Sequence, residues 1–230
     1  MAITLPRGPA TNILAGITLL AFLPVQLLGY TNQAALLAGF IPERVHLLDA
    51  QHISLAVPWL PLWLTPLSAT LVHGGWMHLA FNLVLLIFCG RHVEHLLGQG
   101  RMLIIYGVGA YAAAAGQWAV TDGGAFFAAE HAGMVPMIGA SGAISALLGT
   151  YALIYSQRGV KAIGPIPEHV VRILWLAAGW TVLQLLIALA GGFDSFFGGI
   201  AIGAHIGGFL AGLLLARPLL ARRFRGARGG

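Results

Sequence analysis

The sequence predicts an all-α, polytopic membrane protein, a six-transmembrane-helix bundle with a long membrane-associated first outer loop. Three observations lead there. Of 230 residues, 58% are hydrophobic and only 8% charged, with a mean hydropathy of +0.85, whereas soluble domains carry about 25% charged residues. Six apolar stretches approach or reach the roughly 20 residues that a helix needs to cross a bilayer. Lysine and arginine fall almost wholly on one side when those stretches are laid out alternately. Seven acids and twelve bases cannot cover the surface of a soluble fold this long, which excludes a soluble enzyme and a disordered chain. The single cysteine, Cys89, excludes a disulfide framework and any CxxC redox or zinc pattern.

The six predicted spans are 12–30, about 75–97, 102–120, 141–155, about 170–190 and about 199–215. The fourth is short. With the N-terminus inside, eleven basic residues fall inside and only Arg44 outside. The expectation is one membrane domain over 1–230. It comprises a cytoplasmic N-terminus at about 1–11, a first outer loop at 31–72 and a basic cytoplasmic tail at 218–230. This is a multi-pass protein of the cell (inner) membrane with both termini cytoplasmic. The basic tail reads as a stop-transfer anchor that favours anionic headgroups. Nucleic acid is not an expected partner, since no aromatic interleaving accompanies the charge.

Two connections are apolar where polar loops are usual. The first outer loop is broken by Pro42, Pro58, Pro61 and Pro66, too often for a span, and its Trp59 and Trp63 suit helices lying in the interface. The stretch HAGMVPMIGA (131–140) contains Pro136. Non-helical backbone is tolerated at membrane depth only against protein or a wet cavity, so this stretch predicts a re-entrant loop that delivers Ser141 below the surface.

Polar side chains within spans are costly and mark function by default. His73, His78 and Asn82 lie at the outer end of the second span, His78 and Asn82 on one helix face. Ser141 opens the fourth span within GASG, and His205 lies in the sixth. All fall in the outer third of their spans. Together they suit acyl transfer. A serine hydroxyl needs a neighbouring base, and His205 is that candidate for Ser141. The tetrahedral intermediate needs donors aimed at its oxyanion, for which His78, Asn82 and the Ser141 backbone N–H are candidates. Gly139 and Gly142 leave room for substrate backbone, and His73 reads as a structural hydrogen-bond partner. Small residues at Gly199, Gly203, Gly207 and Ala211, and at Gly142, Ala146 and Thr150, predict that the sixth and fourth spans pack closely along these rows. Taken singly, each residue has a plainer role in packing or helix bridging; the set at one depth does not. His92 and His95 in RHVEH read as a solvated face rather than a metal pair, with Glu94 tying down a loop. No metal or cofactor is called for.

These motifs resemble the rhomboid family of intramembrane serine proteases. The resemblance runs from about Trp63 to Ala211 and rests on HGGWMHLAFN, GASG and AHIGG in that order, with Glu94 and Gly98 also in place. It implies a six-helix core and a Ser–His dyad that cuts transmembrane substrates, single-span or polytopic, near their outer ends. Ser141 matches the nucleophile, His205 the base, and His78 and Asn82 the oxyanion side chains. The fifth span and GGFDSFFG (191–198) match the elements that gate substrate entry. Two positions depart from the family pattern. Ser145 stands where many members carry an aromatic residue, and Leu64 follows Trp63 where many have arginine. The alternative is a catalytically weak or inactive rhomboid-like protein that binds client helices. A channel or transporter is disfavoured, since no inverted repeat is visible. The sequence sets no oligomeric state.

Overall fold

The computed structural model describes residues 5–48, 60–122, 132–155, 161–175, 177–179 and 201–226. The described residues are helical, and besides helices and turns they hold two isolated bridges, Phe40–Met137 and Ile163–Ile166. Helix α1 is Pro9–Leu27 and α2 is Thr31–Ala38. A 3₁₀ stretch at Pro42–Leu48 and a short helical segment at Leu62–Leu71 follow. Then come α3 (Trp76–Leu97), α4 (Gln99–Asp122), α5 (Ser141–Tyr155) and α6 (Ile202–Gly226). Helices α1, α3, α4 and α6 are long and apolar enough to cross a membrane, and α5 is a shorter apolar helix. The predicted fifth span begins in a helical stretch at 168–175, and most of it lies outside the described residues, as does 191–198.

Local chemistry sets the boundaries. Helix α1 starts three residues before the predicted Asn12, because Pro9 occupies the first turn, where its missing N–H costs nothing. The Glu94 carboxylate accepts the Ala10 N–H (3.0 Å), the Thr11 N–H (2.8 Å) and the Thr11 hydroxyl (2.6 Å). A negative charge on orphan donors at a helix N-terminus is doubly favourable. Glu94 therefore ties down the start of α1 rather than a loop. Helix α3 carries one π-helical turn at Leu86–Gly90. Gly98, at φ +86°, is the single residue between α3 and α4.

The interior is apolar, built from Leu86, Val93, Leu97, Met102, Ile105, Ile144 and Leu147. Large apolar side chains such as Leu20, Val84, Leu210 and Leu214 are exposed on the outside, as a lipid-facing surface requires.

Helix α6 lies between α4 and α5 and presents a different glycine row to each. A Cβ on Gly203 or Gly207 would strike α4 backbone at Gly116 or Ala112. A Cβ on Gly208 or Gly212 would strike the α5 carbonyls of Gly142 or Ala146. This corrects the sequence reading. The Gly203–Gly207 row faces α4, and the row that meets Gly142, Ala146 and Thr150 is Ala204–Gly208–Gly212, where the Thr150 hydroxyl donates to the Gly212 carbonyl (3.0 Å). His92 also departs from expectation. It is half-buried among Phe88, Tyr151 and Tyr155, while His95 is exposed.

Candidate active site

The N-terminal ends of α3, α5 and α6 meet at one end of the bundle. The sequence arranges this through alternation: each of these helices runs from the same side, and α4 returns between them.

Ser141 is the first residue of α5. The chain reaches it through a non-helical loop that is pinned at every step. Met137 and Phe40 exchange backbone hydrogen bonds (2.7 and 3.0 Å), the Gly139 N–H donates to the Ala69 carbonyl (2.9 Å), and the Ala140 N–H donates to His73 Nε2 (3.5 Å). His73 is buried, and its Nδ1 has no hydrogen-bond partner. Its predicted supporting part thus has a definite form, which is to hold the backbone immediately before Ser141. The N–H groups of Ser141, Gly142 and Ala143 open α5 with no intrahelical acceptor.

His205 stands in the first turn of α6, and its Nε2 lies 2.9 Å from Ser141 Oγ. Both side chains are half-buried. The glycine contacts at Gly208 and Gly142 let the two helix backbones come this close. Ser145, at the position of the family's aromatic residue, is fully buried, and its hydroxyl donates to the Ser141 carbonyl (2.8 Å). A Cβ on Gly208 would lie 3.3 Å from the Ser145 Cβ, so a large ring there would collide with α6.

His78, on the first turn of α3, accepts the Gly74 N–H at Nδ1 (3.3 Å). A neutral imidazole that accepts at one nitrogen donates at the other, so Nε2 carries the proton. Nε2 points at Gly139: a Cβ there would lie 2.6 Å from it and 3.8 Å from Ser141 Oγ. A donor therefore faces the space beside the serine. Asn82 is buried one turn further along α3, and its amide donates to the His78 carbonyl (2.8 Å), which uses one of its two N–H groups. The structure thus brings Ser141, His205, His78, Gly139 and Gly142 together, with Asn82 and His73 flanking them. Among the described residues no cluster of three metal-ligating side chains occurs.

One polar residue escaped the sequence reading. Gln117, near the end of α4, accepts the Ala204 N–H at Oε1 (3.4 Å) and so satisfies an orphan donor of α6 beside His205. The signal was present, a glutamine in an otherwise apolar span next to Gly116.

Fold and site together define a multi-pass membrane protein with a serine–imidazole pair sunk between its helices. The sequence matches the rhomboid domain over residues 62–222, a stretch that includes every predicted site residue, and the chain belongs to the rhomboid family. It is 29% identical over 212 residues to the rhomboid protease GlpG of Pectobacterium atrosepticum, covering 91% of this chain and 62% of that protein. It is 31% identical to the proteins of the same name from Photorhabdus laumondii subsp. laumondii, covering 73% of this chain and 49% of the relative, and from Serratia proteamaculans, covering 69% and 48%. The chain thus spans between about half and three fifths of the length of these relatives.

Proposed function

We propose that this chain is an intramembrane serine endopeptidase that cleaves transmembrane-segment substrates near the outer membrane face. The observation that carries the reading is the 2.9 Å contact between Ser141 Oγ and His205 Nε2; the name shared by the relatives supports it.

In this mechanism the Ser141 hydroxyl gives its proton to His205 Nε2 as Oγ attacks the carbonyl carbon of the scissile peptide. The carbonyl π electrons move onto oxygen. The resulting oxyanion is met by His78 Nε2–H, the remaining Asn82 N–H and the Ser141 backbone N–H. As the intermediate collapses, the C–N bond breaks, and the His205 imidazolium protonates the departing amine. A water molecule, deprotonated by His205, then attacks the acyl-serine ester, and Ser141 Oγ leaves with the proton that His205 returns. Both halves use one base, so the dyad needs no third member for its proton balance.

The substrates are single-span or polytopic membrane proteins. The chain sits in the cell (inner) membrane with both termini cytoplasmic, a reading supported by the eleven-to-one distribution of basic residues. The test is cleavage of a transmembrane substrate by the purified chain in liposomes, with labelling by a serine-reactive fluorophosphonate. Wild type cleaves, and the label maps to Ser141. Cleavage retained by Ser141→Ala refutes the assignment, and a folded wild type that neither labels nor cleaves points to a client-binding protein.

A further inference from the structure

At the opposite end of the bundle from Ser141 a cavity opens, of about 390 Å³. Leu153 and Ile154, in the last turn of α5, and Leu220 of α6 form its apolar wall. Leu153 lies twelve positions after Ser141, about 18 Å along the helix axis. Two arginines are among its lining residues: Arg172, from the helical stretch 168–175, and Arg217 of α6, which is exposed. Arg172 Nε is buried and has no hydrogen-bond partner. A buried donor left unpaired carries its full desolvation cost, and a charged one carries more. A guanidinium fork is shaped to repay that cost against two oxygens of one phosphate. Glu168 and His169 also line it and are exposed. Two arginines against one carboxylate give the lining a positive excess, which suits a phosphate-bearing group.

We propose that this cavity is a phosphate site, filled in a bilayer by the diester of an anionic glycerophospholipid such as phosphatidylglycerol. The arginines hold the phosphate, and Leu153, Ile154 and Leu220 meet the start of the lipid's apolar portion. The side is the one on which the basic residues gather, the leaflet face where anionic headgroups and basic pockets between helices meet. The site is separate from Ser141 and independent of whether the chain is a protease.

The test uses the purified full chain, delipidated in neutral detergent, and follows its thermal unfolding midpoint on titration with phosphatidylglycerol, phosphatidylcholine or inorganic phosphate. Phosphatidylglycerol is expected to raise the midpoint saturably, phosphatidylcholine to do so at least tenfold less effectively, and inorganic phosphate to compete only weakly. The combined Arg172→Gln and Arg217→Gln change is expected to weaken the phosphatidylglycerol response at least tenfold. Leu220→Trp, which fills the cavity without touching a charge, is expected to do the same, and it keeps the test open if the double change does not fold. Neutralising the tail arginines Arg222, Arg223, Arg225 and Arg228 is expected to leave the saturable response in place. Equal responses to the two lipids, a response lost with the tail rather than with the cavity, or saturation by inorganic phosphate that phosphatidylglycerol cannot displace would each overturn the proposal.

Discussion

Gly139 and His78 are matched: at φ +105° Gly139 presents bare backbone to His78 Nε2, where a Cβ would lie at 2.6 Å. Two constraints coincide, since left-handed backbone disfavours any side chain by roughly 1–2 kcal/mol and the imidazole fills the space. Gly139→Ala is therefore expected to displace the donor beside Ser141. Its kcat should fall about 10²-fold, the scale for losing one oxyanion donor, while the protein remains folded by circular dichroism.

If Ser141 and His205 act as one unit, their removal is not additive. Ser141→Ala and His205→Ala should each abolish most of the rate. The double variant should be no slower than either, as in soluble serine enzymes, where losing the nucleophile or the base alone costs about 10⁶-fold. Rates measured on one substrate check this. A double variant far slower than both singles would mean that the residues act separately.

The base must be unprotonated to accept the serine proton. If His205 is that base, activity is expected to be low where it carries a proton, and kcat to rise to a plateau as pH rises and the neutral fraction grows. A kcat–pH profile that is flat or falls over that range counts against His205 as base.

Gly208 sits on the Gly142 carbonyl, one residue from Ser141. Gly208→Val forces α6 away from α5, with overpacking costs of about 1–3 kcal/mol, and stretches the Ser141–His205 contact. Stability in a detergent unfolding titration and cleavage rate should fall together. The same change at Gly100, which has open space around it, should affect neither by much.

Glu94→Ala strips the acceptor from three donors at the start of α1, two of them, on Thr11, buried. The expected loss is about 2–4 kcal/mol, on the scale of bonds to charged groups. Glu94→Gln should recover part of it, as read by unfolding midpoints.

Much of this architecture was legible in the sequence because membrane helices announce themselves by length and apolarity. The start of α5 falls at Ser141 as expected, since Pro136 and Gly139, at φ +105°, disfavour helix just before it. The convergence of Ser141, His205 and His78 followed from alternating span direction. Other features were not legible. A four-residue spacing of small residues is degenerate on α6, where Gly203–Gly207 and Gly208–Gly212 are equally good rows, and only the third dimension assigns them to α4 and α5. The role of His73 as a hydrogen-bond partner was legible but its target, the Ala140 N–H, was not, and the Phe40–Met137 bridge joins residues far apart in sequence through backbone groups, which leave no side-chain signature. Gln117 was visible but ambiguous, because a lone glutamine does not say which helix end it caps.

The bridge between Phe40 and Met137 has a consequence beyond geometry. Two backbone hydrogen bonds join the stretch after α2 to the approach to Ser141, so a shift of one is passed to the other. If Ser141 is the nucleophile, a crosslink that shifts the buried segment around Phe40 should slow turnover without touching the serine, which makes the bridge a remote point of control.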